Sequence, residues 1–120
     1  MEQSFRIRVL PDGGTEFVLD EPDLSFIRID DRLKLQFGFT QLAIDRHFAV
    51  SGSSHALDPR RRDQLGPAIA LFPATLRWLW TSVGGDLTAI FMSGVKLAVA
   101  HDPTAQAWSI SSLRYPDAVG

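Results

Sequence analysis

The chain has 120 residues, 45% of them hydrophobic and 22% charged, with a formal net charge of −2. That length supports one domain with an ordinary core and leaves too little chain for a second. The absence of cysteine excludes a disulfide framework, a thiol nucleophile and Cys-ligated zinc, and the charge balance argues against general nucleic-acid binding, which needs a field of Lys and Arg.

Met1 to Ser4 carries neither a basic nor an apolar region, so no signal peptide is expected. The most apolar stretch, residues 68–80, is too short to span a membrane and contains Pro73 and Arg77. A soluble cytoplasmic domain over 1–120 is the expectation, with an ordered core at 5–113 and a loose tail at 114–120. Phe5, Ile7 and Val9 alternate with Arg6 and Arg8, the period-2 pattern of a half-buried strand. Pro11-Asp12-Gly13-Gly14 turns the chain into a second arm from Thr15 to Leu19. A third strand runs from Leu24 to Ile29 and stops at Asp30-Asp31. Leu33, Leu35 and Phe37 alternate, Gly38 turns, and a partner strand follows through Leu42 and Ile44. A short strand at Phe48-Ala49-Val50 ends in the loop Ser51 to Leu57.

One helix is predicted, from Asp58 to Phe72. Asp58 suits the N-cap, Pro59 suits the first helical position, and Leu65, Ile69 and Phe72 fall on one face. Pro67 inside that pattern predicts a kink or restart. Strands then return at Leu76 to Thr81, Leu87 to Met92, Val95 to Ala100 and Trp108 to Leu113. Two segments are alike: 31–44 and 85–99 each combine an acidic turn, a strand ending in Phe, a Gly turn and a closing Leu-Ala-Ile/Val. Phe37 answers Phe91, and Leu42-Ala43-Ile44 answers Leu97-Ala98-Val99. The fold class expected is α+β: an antiparallel, hairpin-built sheet of about seven to nine strands packed on one kinked central helix, with two related hairpin halves.

Candidate chemistry is sparse. His101-Asp102 could be a general base with its orienter, but adjacent strand residues point to opposite faces. The favoured reading of residues 101–108 is a corner, in which Asp102 caps a single turn and Trp108 lies on the sheet with its indole N–H on one acceptor. His47 and His55 have no ligand-like spacing to each other or to His101. Ser51 to His55 lacks the strained nucleophile elbow, and Gly84-Gly85 is a hairpin turn with no helix behind it to cradle phosphate. The acids are N-terminal Glu residues and turn Asp residues, with no facing pair suited to acid–base catalysis. No cofactor or metal is expected.

Two features suit binding. Arg60, Arg61 and Arg62 stand at the start of the predicted helix, where cations oppose the macrodipole; an anionic partner would explain them, as would a solvated face shared with Asp58 and Asp63. Trp78 and Trp80 share one face of their strand with Leu76 and are expected in the core. Arg77 and Leu79 take the other face, where Leu79 with Ile27 or Ile29 would leave an exposed apolar strip for a partner or a second copy.

Asp58-Pro59, Gly94 to Val99 and the closing Asp102-Pro103-x-x-x-Ala107-Trp108 resemble a bacterial family of small domains of unknown function with paired hairpins. The resemblance spans residues 24–112, with departures at Gln106 and at Met92-Ser93, where such members carry acidic residues. It implies a fold and no activity, and domains of this look also occur among toxin-immunity proteins. The expected function is a non-enzymatic protein-interaction domain, immunity-like, binding through Arg60, Arg61 and Arg62 and the sheet surface. The partners expected are proteins, or a second copy through strand edges, with no nucleic acid and no membrane. The alternative is a small anionic-ligand binder or an undetected enzyme whose pocket is lined by His47, His55 or His101.

Overall fold

In a computed structural model, the described residues are 4–29, 32–51, 57–61, 63, 65–66 and 73–112. They form ten strands: β1 (Phe5–Val9), β2 (Thr15–Leu19), β3 (Phe26–Ile29), β4 (Leu33–Phe37), β5 (Thr40–Ile44), β6 (Phe48–Val50), β7 (Leu76–Thr81), β8 (Leu87–Phe91), β9 (Lys96–Val99) and β10 (Trp108–Ser112). All pairings are antiparallel. One sheet has the order β1-β2-β7-β8-β9-β6 and the other β10-β5-β4-β3.

The expected α+β architecture is therefore corrected to a two-sheet, nearly all-β one. The described residues contain no helical element, and hence none long and apolar enough to cross a membrane. The layer a helix was to supply is instead the four-stranded sheet. Leu33, Leu35, Phe37, Leu42 and Ile44 from that sheet share one core with Leu79, Leu87, Ala89, Phe91, Leu97 and Val99 from the larger one. Asp58 shows why the local signal misled. Its carboxylate accepts the Arg60 N–H at 2.9 Å and its carbonyl the Arg61 N–H at 2.9 Å, which closes a turn with the groups that would cap a helix. Leu57 is held back against Phe48 by an isolated bridge. Residues 62, 64 and 67–72 of the expected helix lie outside the described residues.

The internal likeness becomes a packing relation. The β4–β5 and β8–β9 hairpins stand in opposite sheets, and Phe37 stacks on Phe91 with centroids 6.5 Å apart and planes at 23°. Leu42, Ile44, Leu97 and Val99, matched in the two sequences, are all buried. The period-2 pattern of each arm puts these residues inward, so two hairpins alike in sequence present apolar faces to one another.

Three other joints position the surface described below. Ser4 ties the start of β1 to the smaller sheet through Thr40 (2.5 Å) and Ser112 (3.0 Å). The β1–β2, β7–β8 and β8–β9 connections share one construction: a turn whose last residue, Gly13, Gly85 or Gly94, has a φ of 92°, 94° or 92°. That left-handed position favours glycine and gives a hairpin matched to the strand twist. The third joint is the corner from His101 to Trp108, which returns the chain to the smaller sheet.

Candidate functional site

The corner holds the first candidate pair and uses it structurally. Asp102 Oδ1 accepts from the Thr104 N–H at 2.8 Å and the Thr104 hydroxyl at 2.7 Å, while Oδ2 accepts from Arg46 Nε at 3.0 Å. The Thr104 bonds, reinforced by Arg46, hold the Asp102 carboxyl at about 2. His101 does not bond to Asp102. Its ring packs over Gly85, and its backbone N–H donates to Asp86 Oδ1 at 2.7 Å. Trp108 donates its indole N–H to the Gly85 carbonyl at 3.0 Å and meets Phe17 edge-on. The Asp102 carboxylate, the Arg46 Nε–H and the Trp108 indole N–H each end on a neighbour within the corner.

The remaining sequence candidates are scattered. His47 is exposed, with Nε2 3.9 Å from Asp58 Oδ2, and His55 lies outside the described residues. The described residues hold no group of three or more His, Asp or Glu placed to bind a metal ion. Arg60 and Arg61 are exposed in the turn after Leu57, and Arg61 faces Asp63 at 3.4 Å. Arg62 lies outside the described residues.

The feature that sequence reasoning missed is the outer face of the six-stranded sheet. A bulge between Leu76 and Trp78 places one extra residue, Arg77, in β7. Leu76 and Leu79 both point into the core, Leu79 at 1% exposure, whereas Arg77 and Trp78 both face out. The expectation that Trp78 and Trp80 are core and Leu79 is exposed is thus reversed, and the expected Leu79 strip does not form. Two leucines three apart, both needing burial, were the available signal, since a regular strand puts such residues on opposite faces.

The register shows what shares that face. Arg8 lies opposite Glu16, Glu16 opposite Trp80, and Trp80 opposite Thr88; Arg6 lies opposite Val18, and Ile90 is flanked by Trp78 and Lys96. Trp78, 51% exposed, meets Trp80 edge-on at 5.7 Å and 71°. Its indole N–H donates to Glu16 Oε2 at 2.9 Å. Arg8 Nη2 lies 2.7 Å from Glu16 Oε1, with the Arg8 side chain 71% exposed. Oε1 is buried and accepts no hydrogen bond, so Arg8 meets it as a charge contact. Around this trio, Leu10, Trp78 and Trp80 wall a cleft of about 160 Å³ with Glu16 in its side and Arg8 at its rim.

A second opening adjoins it. β2 and β7 pair only at Thr15–Thr81 and Glu16–Trp80. Beyond Glu16 the strands part around a cavity of about 230 Å³, lined by Phe17, Val18 and Leu19 on one side and Arg77, Trp78 and Leu79 on the other. They rejoin where Leu76 N–H donates to the Pro22 carbonyl at 2.8 Å and Asp23 bridges Thr75. Glu16 and Trp78 line both openings, which makes one groove across the sheet. Neither opening is lined by a histidine. The groove offers apolar walls, guanidinium donors and one neutralised carboxylate, a set suited to recognition of side chains.

No curated protein and no solved structure matches the chain. Residues 16–117 match a family described as Family of unknown function (DUF6188), a span that runs from the second residue of β2 through β10. The chain belongs to that family of unknown function.

Proposed function

We propose that this protein is a non-enzymatic protein-interaction domain whose contact surface is the outer face of β1, β2 and β7. The observation that carries this reading is Trp78, half exposed on a solvent-facing sheet beside Trp80 and Arg8. Trp and Arg are the residues most enriched among interface hot spots, because each contributes a large contact area with a directed polar group. A half-exposed indole on a rigid strand needs little ordering when a partner covers it. The immunity-like form of the reading, in which the domain acts by covering a partner's surface, asks for such a face and for no reaction. Arg60, Arg61 and Arg62 are a second candidate contact under the same reading.

The test is photo-crosslinking in the host cell, with a photoreactive amino acid at position 78 and, as control, at Ser111, exposed on the smaller sheet. A defined protein adduct from position 78 and none from position 111 is the expected result. Equal adducts from both positions, or none from either, would overturn the proposal.

A further inference from the structure

The outer face has a charge opposite in sign to the whole chain. Arg6, Arg8, Arg77 and Lys96 are all exposed on it. The acid that shares it in the central strands is Glu16, which is buried and already neutralised by Arg8. A protein of formal charge −2 thus presents a cationic, aromatic groove. Cations placed around a low-dielectric cleft attract anions and set the sign of the partner more strongly than they set its affinity.

We infer that the groove between β2 and β7 is a docking site for an extended, acidic segment of a partner protein. Resting on the reading above, this names the partner's chemistry. Arg8 and Arg77 stand beside the two openings of the groove, and Trp78 stands between them, lining both. Carboxylates of the segment meet these guanidiniums, whose planar forks donate two parallel hydrogen bonds to a carboxylate. An apolar side chain of the segment enters the cleft of about 160 Å³ between Leu10 and the indole pair, a volume suited to one leucine- or phenylalanine-sized group. The bulge is what makes the site: by turning both Arg77 and Trp78 outward it places a charge and an aromatic face next to each other on one strand.

The experiment is selection of random twelve-residue peptides displayed on phage against the full chain. Enriched sequences are then resynthesised and titrated by fluorescence anisotropy at two salt concentrations. The expected result is enrichment of net-negative peptides that carry at least one large apolar residue. Their binding should weaken with salt and fall about tenfold or more in both Arg77→Glu and Trp78→Ala. Lys34→Glu, on the opposite sheet, should bind as the parent does. Basic or neutral peptides that still depend on Trp78 would overturn the acidic assignment while leaving the interaction reading standing. No enrichment, binding indifferent to Trp78→Ala, or preferential binding of a thymidine oligonucleotide would overturn both. Self-association through this face, seen by sedimentation and abolished by Trp78→Ala, would replace the acidic partner with a second copy.

Discussion

The corner at Trp108 and the groove at Trp78 use the same residue types to opposite ends. In the corner a tryptophan, an arginine and a carboxylate all terminate on one another or on nearby backbone: Trp108 on Gly85, Arg46 on Asp102, Asp102 on Thr104. In the groove Trp78 and Arg8 also converge on a carboxylate, Glu16, but half of the indole and most of the Arg8 side chain remain in water. The lesson is that residue type does not separate a bolt from a binding surface. What separates them is how much of the donor set and the aromatic face is left over once the local bonds are made.

That contrast is sharpened or broken by measurement. Trp108→Ala should be the most damaging change, at about 3 kcal/mol, because it removes a packed indole together with its hydrogen bond. Trp78→Ala should cost about 1 kcal/mol, mainly the lost bond to Glu16. Urea denaturation of both variants checks this, and equal costs would erase the distinction between corner and groove. Next, Gly85→Ala should cost about 1–2 kcal/mol by the same assay. Its φ of 94° strains any side chain, and its added Cβ would lie 3.1 Å from His101 Nδ1, so the corner should loosen without disturbing the groove.

The smallest effect concerns pH. The Asp102 carboxyl titrates at about 2 in the fold against a usual 3.8. A depressed folded pKa stabilises above the unfolded value, so this contribution is complete above about pH 4 and is lost as pH falls through about 2. Asp102→Asn should flatten the stability profile in that window, as read by thermal unfolding between pH 2 and 5. An unchanged profile would mean that Asp102 does not anchor the corner.

Much of the strand content was legible because alternation and glycine turns are local signals. The arms at Phe5–Val9, Leu33–Phe37 and Leu87–Phe91 follow directly from them. The likeness between residues 31–44 and 85–99 was also visible, though not that Phe37 would stack on Phe91 across two sheets. Layering is decided by which apolar faces meet, and no local pattern records it. The helix start expected at Asp58-Pro59 is a turn among the described residues, because a capping Asp and a turn Asp offer the same oxygens to the same N–H groups. The groove was illegible for a more specific reason. One extra residue at Arg77 inverts the parity of the strand, so the two tryptophans read as core emerge on the surface.

The short ladder between β2 and β7 has a wider meaning. With only Thr15–Thr81 and Glu16–Trp80 paired, the β1–β2 hairpin is joined to the rest of its sheet along a seam, and its far end is latched by Ser4 to Thr40 and Ser112. A seam of this kind opens at lower free energy than the core ladders on either side of it. A molecule that lies across the seam and binds the folded chain alone raises the melting temperature, and the rise grows with the logarithm of its concentration relative to its dissociation constant. The fold thus carries its own thermometer for the groove, one that registers a bound molecule even when that molecule emits no signal of its own.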